Sequence, residues 1–242
     1  MEKIKPKKNL GGVIRRIFDL QVASTYRGIV PFIKKIKEDK PTGVVLDVGC
    51  GLCPYRQLFV PEWDYVPIDR GEAETNFDYR MEEVTYYDTD TFPIKDQSAD
   101  LVFHSEVMEH VYDVHQFLGE CNRVLKKSGY MIATVPFQAR YHYIPHDYWR
   151  YTPSSLKNLL KESGFEDIEV VPRSRDICVA GYKVLTVGYR LFFSRSWWRM
   201  IISVILAPIW VLALLAGQIS LHFELGSDED TLGYTIRCQK RE

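Results

Sequence analysis

The stretch Gly43-Val44-Val45-Leu46-Asp47-Val48-Gly49-Cys50-Gly51-Leu52-Cys53-Pro54-Tyr55 decides the fold. An apolar run ends in an acid, two glycines follow one residue apart, and a proline suited to a first helical turn comes next. Val44–Val48 reads as a buried strand, and a helix is expected to open near Pro54. Glycines let a ligand lie on the backbone where a side chain would obstruct it, so this is a nucleotide-cofactor turn. A dinucleotide site asks for Gly-x-Gly-x-x-Gly, the last glycine bringing helix and strand together beside a pyrophosphate. Here Pro54 holds that third position without an N–H to offer, and no basic residue adjoins the turn before Arg56. Asp47, at the end of the strand, is a poor neighbour for a pyrophosphate and a good one for an ammonium group.

Downstream, Tyr65-Val66-Pro67-Ile68-Asp69 is a second short strand ending in a carboxylate, placed to accept both hydroxyls of a ribose. The two acids together suit a nucleoside that carries an amino acid, S-adenosylmethionine. On these residues the chain resembles the class I S-adenosylmethionine-dependent methyltransferases, and three later segments extend the likeness. Asp88–Ile94 resembles the acid-containing loop that addresses the adenine after the third strand. Ser98–His110 resembles the fourth strand and its turn, and Arg123–Pro136 the helix, turn and fifth strand that follow. Cys53 stands where many members carry a third glycine. The resemblance runs from Pro41 to Val171. It implies a doubly wound, Rossmann-like α/β fold with a seven-stranded sheet. It also implies a cofactor site made of Asp47, Gly49, Cys50, Gly51, Asp69, Asp88, Ser105 and Glu106.

Composition agrees with a folded enzyme. The 242 residues are 46% hydrophobic, enough for one large α/β domain with additions. The lysine-rich first residues lack a following apolar segment of the signal-peptide kind, and five irregularly spaced cysteines do not form a disulfide framework. A cytoplasmic setting is therefore expected. Cys50 and Cys53 make a C-x-x-C, but the glycine turn already accounts for the segment and no second pair accompanies it, so no metal is assigned. No nucleic-acid partner is expected either.

The net charge of −1 hides an asymmetry, because residues 1–40 hold eleven Lys or Arg against four Asp or Glu. Ile14, Ile17, Phe18, Val22 and then Ile29, Phe32, Ile33, Ile36 recur there at helical spacing. Taken alone, this arm reads better as two cap helices with solvated lysines than as a surface resting on anionic lipid. The far end favours lipid. Ile201–Leu221 is uncharged, apolar and of membrane-span length, with Arg190, Arg195, Trp197, Trp198 and Arg199 before it. Leu232, Tyr234, Ile236 and Cys238 then alternate as a strand, which in the family returns antiparallel into the sheet. A single span would leave that strand across the bilayer, and a second span through Ile177–Phe193 would immerse Lys183. The expected organisation is therefore a basic helical arm (1–40), a cofactor-binding core (41–173), an apolar helical insertion lying in one leaflet (174–227) and a last core strand (228–242). The arm and residues 177–223 would hold the protein, peripheral or monotopic, on the inner face of the cell membrane.

Between the fifth strand and the next helix lies Pro136–Thr152, dense in His, Tyr, Trp and Arg, at the carboxyl edge where open α/β sheets bind ligands. Similar segments occur in methyltransferases associated with surface-glycan and lipid-linked saccharide synthesis. Removing a hydroxyl proton suits a histidine, so His146 is read as the base, Asp147 as its orienting acid and His110 as its substitute. His142, Tyr148, Trp149 and Arg150 are read as acceptor-binding, although Trp149 and Arg150 serve equally as anchors of a helix opening at Pro153. The function expected is O-methylation of a hydroxyl on a glycan or lipid-linked precursor. Methylation of an apolar small molecule such as an isoprenoid quinone, and a cofactor-binding scaffold without turnover, are the alternatives.

Overall fold

The structure is a computed structural model and describes residues 10–72 and 81–242. Residues 1–9 of the expected basic arm lie outside the described residues. The described chain forms two compact units. One comprises residues 28–171 and 234–242, and the other runs up to Arg27 and again over 172–233.

The first unit carries seven strands: β1 (Gly43–Val48), β2 (Trp63–Arg70), β3 (Thr85–Tyr87), β4 (Ala99–Ser105), β5 (Leu125–Pro136), β6 (Phe165–Pro172) and β7 (Gly233–Lys240). They lie in the order β3-β2-β1-β4-β5-β7-β6. β1, β2, β3, β4 and β5 run parallel, with Asp47 level with Pro67 on one side and Phe103 on the other. β7 is antiparallel to its neighbours, since Lys240 Nζ reaches Leu125 O while the ring of Tyr234 meets Phe137 at 5.6 Å. The mixed seven-stranded sheet expected from the sequence is thus present, with its returning last strand.

Strand alternation sends successive side chains to opposite faces, and both faces are covered. Val45, Leu101, Phe103 and Ile132 pack on Ile29, Ile33 and Ile36 of α2 (Leu20–Asp39). Leu46, Val102, Met131 and Ala133 face α3 (Val114–Val124) and α4 (Pro153–Glu162), through Phe117, Leu118, Cys121, Leu156 and Leu160. Asp113 caps α3 by accepting from Gln116 N, and Thr152 caps α4, where Pro153 fits because the first turn has no use for its missing N–H.

The helix expected at Pro54 does not form. Cys53 takes a left-handed φ of 52°. Cys53 N bonds back to Cys50 O, Arg56 N to Cys53 O and Leu58 N to Tyr55 O, a run of three-residue turns that tightens into one 3₁₀ turn, Arg56–Leu58. Pro61 prevents continuation, and Phe59 and Trp63 are instead driven into the core.

The second unit contains α1 (Leu10–Phe18), the start of α2, α5 (Asp176–Phe192), α6 (Trp197–Ile205) and α7 (Ala207–Phe223). Asp19 separates the first two helices and accepts Gln21 N and Val22 N as the cap of α2. No single helix among the described residues is long and apolar enough to cross a membrane. α6 and α7, bent by 58°, reach that length and composition only together.

Candidate active site

Strand order reverses between β1 and β4, and the carboxyl ends of these strands open there into a cavity of ≈ 950 Å³. The glycine turn forms its floor. Gly49 has φ of 66°, and a Cβ there would come 2.6 Å from Val107, so the backbone itself meets the cavity. Gly49 N and Cys50 N both donate to Ile68 O, and Asp69 completes the turn by accepting Gly51 N at 2.9 Å and Arg70 N at 2.8 Å. Asp69 is buried yet lines the cavity, so it stabilises the turn and faces whatever lies on it.

Asp47 is placed differently from expectation. It is 2% exposed, its carboxylate accepts the Tyr65 hydroxyl, and it stands behind the turn rather than on the cavity wall. Burial drives its pKa well up, against the opposing hydrogen bond from Tyr65. Cys50 and Cys53 are buried beside it. Their mutual hydrogen bond raises the Cys50 thiol and lowers Cys53 to about 7. Of the loop after β3, Thr89, Asp90 and Phe92 line the cavity, whereas Asp88 lies over the backbone of Gly71. Arg123 holds this loop by donating to Phe92 O at 3.2 Å and Ile94 O at 2.9 Å, while Glu120 accepts Phe92 N at 2.7 Å. Ser105 and Glu106 share Thr134: Ser105 Oγ lies 2.8 Å from Thr134 Oγ1, which donates to Glu106 Oε1 at 3.0 Å, and Glu106 faces the cavity.

The opposite wall is histidine-rich. His110, His142, His146, Tyr143 and Tyr148 all line it. His110 Nδ1 lies 2.6 Å from His146 O, and burial pulls its pKa below the usual imidazole value. The His110 ring packs edge-on against His142 at 4.9 Å and Tyr143 at 5.1 Å. The expected pairing of Asp147 with His146 is not made. Asp147 has a fully buried side chain gripped by both Arg150 nitrogens, at 2.6 and 2.8 Å, and it also accepts His142 N at 3.0 Å. Burial works against its ionisation, but the guanidinium and His142 outweigh it and hold its pKa down at about 2. His146 Nδ1 instead meets the Tyr148 hydroxyl at 3.0 Å. Trp149 and Arg150 are anchors: the indole N–H donates to Val111 O at 2.9 Å, and Arg150 locks Asp147 and Arg140 O.

Four participants escaped the sequence reading. Glu109, fully buried beside His110, and Tyr143 sit within quoted segments but carry no local signal of their own. Tyr65 and Arg123 act through contacts 18 and 31 residues away in sequence, which no spacing reveals.

The arrangement offers a glycine turn with a ribose-competent carboxylate at one end of a cavity and imidazoles at the other. Residues 46–133 match the family model described as a methyltransferase domain. A probable S-adenosylmethionine-dependent methyltransferase of Mycobacterium tuberculosis is 28% identical over 152 residues, covering 55% of this chain and 54% of that protein. The chain thus spans about half the length of the curated relatives it matches first. The ubiquinone biosynthesis O-methyltransferase of Bartonella quintana is 27% identical over 157 residues, covering 52% of this chain and 62% of that protein. Among solved structures, a SAM-dependent methyltransferase from Archaeoglobus fulgidus superposes with a TM-score of 0.55 at 20% identity, covering 96% of this chain and 100% of that one, which speaks for the fold. Fold, glycine turn and domain match agree, and over residues 46–133 the chain is similar to class I methyltransferase domains of the S-adenosylmethionine-dependent type.

Proposed function

We propose that the chain transfers a methyl group from S-adenosylmethionine to a hydroxyl of a glycan or lipid-linked precursor at a membrane surface. The observation that carries this reading is that one cavity is lined both by the glycine turn with Asp69 and by the histidines of the segment after β5. The methionine moiety rests on Gly49, the ribose hydroxyls on Asp69, which Gly51 N holds in place, and the adenine against Thr89, Asp90 and Phe92. Asp47, Cys50 and Ser105 shape the floor from behind. The acceptor lies at the other end, beside His142, Tyr148 and the exposed ring of Tyr112. Its oxygen attacks the methyl carbon in line as the carbon–sulfur bond breaks, and His146, held through Nδ1 by Tyr148, receives the proton.

The membrane part of the reading rests on the second unit. Trp197, Ile205, Leu212 and Phe223 are 71%, 70%, 66% and 65% exposed, and exposed apolar side chains grouped in this way mark interaction or membrane surfaces. Arg195 and Arg199 flank Trp197 and Trp198 in the chain, a residue pattern that suits anchoring at lipid headgroups. α7 is apolar all round, and the bend before it suits helices lying in one leaflet of the inner face.

The Bartonella relative favours a second reading, a quinone-like phenol drawn from the bilayer. Incubation with radiolabelled S-adenosylmethionine and total membrane lipid, followed by separation of saccharide-bearing from simple lipids, decides between them. Label in the saccharide fraction is expected. His146→Ala should lower that label roughly a hundredfold with cofactor affinity unchanged. Label confined to quinones sinks the glycan reading, and label nowhere leaves a binding scaffold.

A further inference from the structure

Three residues converge beside the histidine loop: Glu109 and His110 from the 3₁₀ turn Met108–His110 after β4, and His142 from the segment after β5. One ligand atom from each lies within 4.8 Å of the others. His110 Nε2 is 3.6 Å from Glu109 Oε1, and the Glu109 side chain is fully buried. Hydrogen bonds to the outer ring nitrogens settle which ring atoms face inward. His110 Nδ1 is taken by the carbonyl of His146 at 2.6 Å, so Nδ1 carries the proton and Nε2 presents a lone pair. His142 Nδ1 is likewise taken by Arg140 O at 2.9 Å, with the Asp147 carboxylate 3.2 Å away. Asp147 is itself fixed by Arg150. Carbonyl–histidine and carboxylate–histidine pairs of this kind orient metal-binding imidazoles and raise their basicity.

We propose that Glu109, His110 and His142 bind a divalent transition-metal ion, Zn²⁺ foremost, in the wall of the cavity. Two imidazoles and one carboxylate are a borderline donor set that suits Zn²⁺ and leaves a fourth position open. Tetrahedral bonds of about 2.0–2.2 Å put ligand atoms about 3.3–3.6 Å apart, so the His110–Glu109 separation already fits and rotation of the half-buried His142 closes the widest gap. The open position faces the cavity that His110 and His142 line. Resting on the acceptor reading above, the ion takes the acceptor hydroxyl there and makes it more acidic. His146 accepts the proton, the oxygen forms its bond to the methyl carbon, and the electron pair of the breaking carbon–sulfur bond stays on sulfur. The sequence gives no signal for this group, since Glu109 and His142 are 33 positions apart.

The test uses the full chain without a polyhistidine tag, stripped with chelator. It is titrated with Zn²⁺ by calorimetry and with Co²⁺ by visible absorption. One ion per chain is expected, with d–d bands and no near-ultraviolet thiolate band. Affinity should fall at least tenfold in His142→Ala and in Glu109→Gln, while S-adenosylmethionine affinity is kept. If Glu109→Gln fails to fold by circular dichroism, His142→Ala, which alters a loop residue, carries the test. No ion bound by the wild-type chain, undiminished binding in His142→Ala, or a signal lost only in Cys50→Ser/Cys53→Ser overturns the site. Methyl transfer that persists without any bound ion removes the metal and leaves the proposed function standing. Ion binding with no methyl transfer to any acceptor does the reverse.

Discussion

His104 sits one residue from the carboxyl end of β4, fully buried, edge-on to Phe117 at 5.2 Å, with neither ring nitrogen hydrogen-bonded among the described residues. Burial without a partner lowers its pKa to about 3, so the ring is neutral in the fold and titrates near 6.5 when unfolded. The unfolded chain therefore binds the proton more readily, and stability falls as pH drops from about 6.5 towards 3. By pH 4.5 the loss is about 2–3 kcal/mol from this residue, and His104→Phe should flatten that part of a stability-versus-pH curve measured by urea unfolding. A curve of unchanged slope would assign the acid sensitivity elsewhere. Asp69 makes the other residue-scale case. Its carboxylate already closes the glycine turn through Gly51 N and Arg70 N, so Asp69→Ala removes both the turn clamp and the proposed ribose acceptor. Calorimetry should show cofactor affinity at least tenfold weaker, about 1.4 kcal/mol or more. The place of Asp69 beside the glycine turn was readable from sequence, because a carboxylate ends a short apolar strand there. The partner of Asp147 was not, because the side chain of Arg150, three residues on, competes with that of the adjacent His146, and chain order alone does not say which wins.

Elements were legible where a period declared them. Alternating or continuous apolar runs announced β1, β2, β4 and β7, and Pro153 after Thr152 announced α4. The failure at Pro54 has a local cause: the left-handed Cys53 and the turns it closes consume the backbone bonds a helix would need. Arg123, at the end of α3, shows how one element controls another, since its fork fixes two carbonyls of the loop on the cavity wall. Arg123→Met keeps the buried stem and removes the fork. It should weaken cofactor binding several-fold while leaving the melting temperature within a few degrees, and unaltered binding would show that the loop holds itself. In the second unit, α5 and α7 approach so closely that a Cβ on Gly181 would come 2.7 Å from Ala213 O. Because a backbone oxygen cannot move aside as a side chain can, Gly181→Val should cost about 1–3 kcal/mol by thermal unfolding. A neutral result would mean the two helices separate easily.

At the scale of the whole molecule, the apolar insertion was plain from hydropathy. The division of the N-terminal arm between two compact units was not, because α2 is one continuous helix whose first turns belong to one unit and whose later turns pack on the sheet. What the second unit does is open to direct measurement. Trp197, Ile205 and Leu212 are exposed by two-thirds or more, so replacing all three with Ser removes little internal packing. Burying them in acyl chains is worth about 1.5–3 kcal/mol each when complete, and half of that in sum still exceeds a tenfold change in partition. The wild-type chain should therefore sediment with vesicles containing anionic lipid, and the triple variant should bind at least tenfold more weakly with cofactor affinity intact. Salt separates the two contributions: the arginines are screened at 1 M, whereas apolar insertion is not, so wild-type binding should weaken but persist. A companion variant lacking residues 177–225 tests the same idea by excision. Its ends lie together, because Asp176 exchanges backbone and side-chain hydrogen bonds with Ser227 at 3.0 Å, so a short linker closes the gap and no sheet strand is lost. That variant should bind S-adenosylmethionine and ignore vesicles. Wild-type protein that stays in solution with every vesicle composition, or a triple variant that binds as well as wild type, would remove the membrane from the proposed function.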